Sequence, residues 1–179
     1  MRSDASAVVA CLHGAGLRVE LLSGDRPGVV SVAASAAGIT EWRGEVLPAG
    51  KLARLAQLET EGRRVLMVGD GLNDAPALAA AHASLSPANA ADIAQTAADA
   101  IIQGERLGPV LEAIGVARAA NRLALQNFAI AIGYNAVFVP LAVLGQVTPL
   151  LAAIAMSASS IAVTANAIRL RRMRVGVAR

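Results

Sequence analysis

Two consecutive stretches without a charged side chain, residues 123–144 and 145–168, constrain this chain more than any other feature. Each is about 22 residues or longer, and roughly 20 apolar residues in a helix cross ~30 Å of hydrocarbon. Gly145, Thr148 and Pro149 punctuate the join, and the connecting "GQVTP" is uncharged. Arg118 and Arg122 precede the pair; Arg169, Arg171, Arg172, Arg174 and Arg179 follow it. Basic flanks mark the cytosolic side, so both outer ends are expected there. The reading is two helices over about 123–144 and 147–168 within residues 119–170, then a basic cytosolic tail over 171–179. The competing reading, a buried helical pair of a soluble protein, fits the run lengths less well. The arginine-rich end lacks the interleaved aromatics of a nucleic-acid surface, so the expected partner is lipid and no nucleic acid. The single cysteine, Cys11, leaves no internal disulfide framework and suits a reducing cytosol. The apolar run at the N-terminus, broken by His13, is too short for a signal peptide.

Residues 1–118 read differently. "LRVELL" (17–22) and "RVLMV" (64–68) are short apolar runs that end in Gly-Asp turns. Between them, helices are expected from Pro27 to Gly38 and from Pro48 to Gly62, the second with Leu52, Leu55, Ala56 and Leu58 on one stripe. "HASLS" (82–86) and "DAIIQ" (99–103) read as further strands around the helix "ANAADIAQTA". Alternating strands and helices predict a parallel α/β sheet, whose ligands gather at the carboxyl ends of the strands.

The most specific segment is "VLMVGDGLNDAPALAAA" at 65–81. A carboxylate between glycines at a strand end can approach a phosphate-bound cation closely. Magnesium takes oxygen ligands and seldom a full protein cage. Asp70 is the expected ligand, with Asn73 and Asp74 reaching back from the next helix, which Asp74 is also expected to cap. In the second turn, "LLSGDRP", the Ser23 hydroxyl and Gly24 N–H can bind phosphate oxygens near the helix at Pro27. Lys51 is the only lysine among 16 basic residues. A compact ammonium neutralises a phosphoryl group where a planar guanidinium does not fit.

These motifs together, "SGD", "VLPAGK" and "MVGDGLNDAPALA" followed by two apolar helices, resemble the C-terminal part of the heavy-metal (type IB) P-type ATPases. The resemblance implies that residues 1–118 form part of a haloacid-dehalogenase-like phosphorylation domain. It implies that Ser23, Gly24 and Asp25 contact the phosphoryl group, that Lys51 stabilises its charge, and that Asp70 binds Mg²⁺ with Asn73 and Asp74 in support. ATP would be the energy source, held by a part of the family's architecture this sequence lacks.

In the first apolar stretch Asn127 and Tyr134 are seven residues apart and share a helix face, with Asn135 adjacent. Pro140 cannot donate to the carbonyl of Ala136, so a kink and a free carbonyl are expected beside Asn135. In the second stretch Met156, Ser160 and Thr164 recur at helical spacing with Ser159 alongside. A thioether among neutral oxygens suits a soft monovalent ion such as Cu(I). The pattern of Asn127, Tyr134, Asn135 and Pro140, then Met156, Ser159 and Ser160, resembles the copper(I)-transporting subgroup. The closing "MSASSIAVTANAIRLRR" resembles its FixI/CcoI-like branch, in which Tyr134, Asn135, Met156 and Ser160 would line the path of Cu⁺.

The family's Asp-Lys-Thr-Gly-Thr loop, which carries the phosphorylated aspartate, is not in this sequence. The chain is therefore expected to be inactive alone and to require the missing N-terminal part of an ATPase of the inner (cell) membrane. Two other readings are a free-standing membrane-anchored phosphatase and a non-catalytic, membrane-anchored haloacid-dehalogenase-like binding module.

Overall fold

The computed structural model describes residues 2–104 and 106–172. Of the expected basic tail, residues 173–179 lie outside the described residues. The chain divides near Leu111 into two compact units.

The first unit alternates helix and strand. In order come α1 (Ala5–Gly14), β1 (Glu20–Leu22), α2 (Pro27–Ala37), β2 (Glu41–Arg43), α3 (Pro48–Thr60) and β3 (Leu66–Val68). A 3₁₀ turn (Leu72–Asp74), α4 (Ala75–Ala80), β4 (Ala83–Pro87), α5 (Asp92–Ala97) and β5 (Ala100–Ile102) complete it. Pro27 and Pro48 each occupy the first turn of their helices, where a missing N–H costs nothing. Gly38 ends α2 in the left-handed region at φ 76°, so that the Ile39 N–H closes on the Ala34 carbonyl at 2.9 Å.

All strand pairs are parallel, as expected for an α/β unit, but they form two sheets rather than one. β1 pairs with β2, and β4 lies between β3 and β5. Among the described residues no ladder joins β1 to β3; α3 links the halves by packing on α4. β4 is the most enclosed strand, with Ser84, Leu85, Ser86 and Pro87 all buried. The Asp99 carboxylate accepts from both the Ser84 N–H (2.8 Å) and its hydroxyl (3.0 Å), which offsets the burial of these polar groups.

Sequence patterning did not signal α1 or β2. Val8 and Val9 of α1 are buried, so tertiary packing sustains a short helix of modest periodicity. β2 is three residues, Glu-Trp-Arg, held in register by ion pairs: Arg18 with Glu41 (2.7 Å) and Arg43 with Glu20 (3.2 Å).

The Asp4 carboxylate accepts from the N–H groups of Leu107 (2.8 Å) and Gly108 (2.9 Å), at the start of the next helix. The Leu107 bond foremost holds its carboxyl below the usual range, because it favours the charged form. A depressed folded-state pKa contributes stability that is complete above the ordinary carboxylate range, about pH 4, and is lost as pH falls through the lowered value. The acid-unfolding curves of the wild type and Asp4→Ala are therefore expected to differ most above about pH 4 and to converge below it. Circular dichroism of the detergent-solubilised chain checks this.

The second unit contains most of α6 (Gly108–Val143) and all of α7 (Pro149–Arg172). Both helices are long and apolar enough to cross a membrane. The apolar segment expected at 123–144 is thus the end of a 36-residue helix that already includes Arg118 and Arg122, and α7 begins at Pro149 rather than 147. Along α6, Leu123 is buried and Asn127, Ala131, Tyr134 and Phe138 are half-buried. Along α7, Ala155, Ser159, Val163 and Leu170 are half-buried and Asn166 is buried. The remaining faces are mostly exposed, as suits helices whose solvent is lipid.

Candidate phosphoryl-transfer site

Both glycine-rich turns leave the carboxyl ends of their strands. After β1, Ser23 and Asp25 form a local hydroxyl–carboxylate turn. The Asp25 N–H donates to Ser23 Oγ (3.2 Å), and that hydroxyl donates to Asp25 Oδ2 (2.9 Å). The end of β2 staples this turn from the side. The Ser23 N–H donates to the Arg43 carbonyl (3.0 Å), Val46 N–H to the Ser23 carbonyl (2.9 Å) and Glu45 N–H to the Asp25 carbonyl (2.8 Å).

This stapling depends on two residues that sequence reasoning missed. A Cβ at Gly44 would lie 2.9 Å from Pro27 Cα and 3.0 Å from the Asp25 carbonyl oxygen, so only glycine admits the close approach. Glu45 next to it sits at φ 55°, the one non-glycine residue with positive φ among those described. That backbone strain is retained where surrounding hydrogen bonds over-determine it. The "GE" pair after a short strand was the available signal.

In the other turn, Asp70 follows β3 with its side chain 66% exposed, and Arg2 approaches it at 3.7 Å. Asn73 is exposed in the 3₁₀ turn. Asp74 behaves differently from expectation. Its carboxylate makes no cap bond to α4. Instead it accepts from the Gly71 N–H (3.4 Å) and forms an ion pair with Lys51, from the first turn of α3. Lys51 is 7% exposed, and few lysines are so buried unless paired. Gly69 makes room for this: a Cβ there would fall 2.9 Å from Asp74 Cβ.

The donor set therefore fits a lightly held Mg²⁺. Among the described residues no three His, Cys, Asp or Glu side chains cluster as a cage. Asp70 offers oxygens open to solvent, while Asp74 is already neutralised by Lys51. One exposed carboxylate plus water and substrate phosphate is how magnesium is commonly bound. The groups expected to act together divide into a pre-paired, enclosed couple, Lys51 and Asp74, and an open ligand, Asp70.

The residues expected to line an ion path are not gathered on one face. Tyr134 and Ser159 are half-buried on the inner sides of their helices, and Tyr134 stacks on Phe138 at 4.8 Å. Asn135, Met156 and Ser160 are exposed. Asn135 donates to its own helix at the Ala131 carbonyl (2.9 Å), not toward the carbonyl released by Pro140. Asn127 accepts a hydrogen bond from Asn166 (2.9 Å), a residue the sequence reading did not single out.

Comparison with known proteins agrees with this architecture. The haloacid dehalogenase-like hydrolase family matches residues 1–82. The nitrogen fixation protein FixI of Bradyrhizobium diazoefficiens is 53% identical over 96% of this chain and 23% of its own length. A probable copper-exporting P-type ATPase V of Mycobacterium tuberculosis is 41% identical over 96% of this chain and 22% of its own. Among solved structures, a zinc-transporting PIB-type ATPase in the E2.Pi state superposes with a TM-score of 0.90 at 33% identity, over 95% of this chain and 28% of that one. The chain thus spans about a quarter of the relatives it matches.

Proposed function

Since this chain is homologous to the P-type ATPases over nearly its whole length, we propose that it carries the magnesium and phosphoryl site of an ATP-driven heavy-metal pump, together with two membrane spans of its ion path. The observation that carries this reading is the enclosed Lys51–Asp74 pair beside the open Asp70 at one strand end. Lys51 brings a point charge to phosphoryl oxygens, and Asp74 holds that ammonium in place. The Gly24 N–H would donate to the same group, joined by the Ser23 hydroxyl once it leaves Asp25 Oδ2. Mg²⁺, held by Asp70, would neutralise phosphate oxygens. The chemistry is positioning and charge neutralisation, which is most of what phosphoryl transfer asks of a protein.

Copper(I) is the proposed cargo, supported by Met156, the only sulfur within the two spans, and by the likeness to a copper-exporting relative. Both outer ends are proposed to face the cytosol of a cell whose inner membrane holds the hairpin. The remaining part of an ATPase is the proposed partner.

Two titrations of the purified chain test these assignments separately. Asp70→Asn is expected to weaken Mg²⁺ binding at least tenfold, read from the amide resonances of residues 69–71. Unchanged Mg²⁺ affinity rules out Asp70 as the ligand. Met156→Leu keeps volume while removing the soft donor, and is expected to lower Cu(I) affinity against a chelator by tenfold or more. Equal affinity makes Met156 a packing residue and removes copper's physical support.

A further inference from the structure

We propose that Asn127, Asn166 and Arg169 form a latch that sets the antiparallel register of α6 and α7, and so places Tyr134 opposite Ser159 on the inner seam of the hairpin. The latch needs only that the two helices cross the bilayer as a hairpin; it does not depend on the identity of any transported ion.

Asn166 is the one buried residue of α7 among those described, at 8% exposed. An amide buried between two membrane-spanning helices is costly unless it is hydrogen-bonded. Here its Nδ2 donates to Asn127 Oδ1 at 2.9 Å, across 39 residues of sequence, and its Oδ1 accepts from Arg169 Nη1 at 3.2 Å. Arginine only donates, so Arg169 decides which end of the amide it faces and leaves the NH₂ for the opposite helix. The direction of the whole chain is fixed from the arginine inward.

The packed positions agree with this contact. The inward residues of α6 and of α7 recur at matching three- and four-residue steps. Setting Asn127 against Asn166 brings Tyr134 level with Ser159, and Phe138 level with Ala155. Tyr134 and Ser159 each lie seven residues, ~10 Å of helix rise, from the latch. A slip by one turn would set Asn166 against Leu123 or Ala131, neither of which has a side-chain acceptor. Apolar residues cannot enforce the choice, because lipid tails are as apolar as the helices. In this register two hydroxyls face each other inside the hairpin, while Met156 (66% exposed) looks outward.

Cysteine cross-linking of the full chain in lipid nanodiscs, with Cys11→Ser as background, tests the register. Tyr134→Cys with Ser159→Cys is expected to cross-link at least tenfold faster than Tyr134→Cys with Val163→Cys, which is one turn out. Adding Asn166→Leu is expected to erase that preference. Asn166→Asp is expected to keep it, since Asn127 can turn its NH₂ toward the carboxylate and Arg169 still donates. Asn127→Leu removes the acceptor from the opposite helix while leaving Asn166 and Arg169 intact, and is expected to lose the preference even where Asn166→Leu inserts poorly. Faster cross-linking of the out-of-register pair overturns the proposal. So does an undiminished preference in the Asn127→Leu variant, since packing alone would then set the register.

Discussion

Lys51→Met is expected to destabilise the first unit by about 3–5 kcal/mol, the usual cost of removing one partner from a buried ion pair. Methionine keeps the unbranched stem, so little packing is lost. What remains is the Asp74 carboxylate, 14% exposed, with one long hydrogen bond of 3.4 Å from Gly71. Rearrangement of the 69–74 turn toward solvent is then required. Lys51→Met combined with Asp74→Leu should recover most of the loss, because two apolar groups of similar volume need no compensation. Lys51→Arg should fall between, since a planar fork is larger than the compact ammonium enclosed at this position. Urea unfolding in detergent of the wild type, Lys51→Met, Asp74→Leu and the double variant gives the coupling energy directly. Additive effects of the two single substitutions would show that the pair is incidental.

Gly44→Ala is the second large effect, expected at about 3 kcal/mol, at the upper end of overpacking costs. The atoms its Cβ would meet are Pro27 Cα at 2.9 Å, the Asp25 carbonyl oxygen at 3.0 Å and Pro27 N at 3.0 Å. All belong to backbone. None can move aside without breaking the 2.8 Å bond from Glu45 N–H to the Asp25 carbonyl. Gly28→Ala is the matched control. It stands in the first turn of α2, and a Cβ there meets nothing within 4 Å. That change is expected to be neutral or to stabilise by up to ~1 kcal/mol, through lost freedom of the unfolded chain. Equal unfolding midpoints for the two alanine variants would contradict the close approach of β2 to the Ser23 turn.

Much of this was legible in the sequence because its signals are local. Pro27, Pro48, Gly38 and Gly62 mark helix ends through their own backbone preferences. The Gly-Asp turns follow short apolar runs, and two charge-free runs announce the spans. What was hidden depends on partners distant in sequence. α1 rests on buried Val8 and Val9, and β2 on ion pairs to residues near β1. By itself the Asp74 side chain reads as a support of the Mg²⁺ ligand and a cap of its own helix, since nothing nearby shows that Lys51, 23 residues earlier, claims it. Asn166 reads as one polar residue in an apolar run until Asn127 is seen across from it. The stripe of Met156 and Ser160 was read correctly as periodic, but periodicity does not say which face turns inward.

The central claim, that this chain supplies the working magnesium and phosphoryl site of a P-type ATPase, is tested most directly by substitution into a relative. The matching quarter of the Mycobacterium tuberculosis ATPase V is replaced by this chain, and Mg²⁺-dependent phosphoenzyme formation from inorganic phosphate is measured in membranes. The account predicts an acid-stable, hydroxylamine-sensitive phosphoenzyme at levels near the parent's, lost on Asp70→Asn and sharply reduced on Lys51→Met. A folded, membrane-inserted hybrid whose phosphoenzyme level is unaffected by either substitution would contradict it.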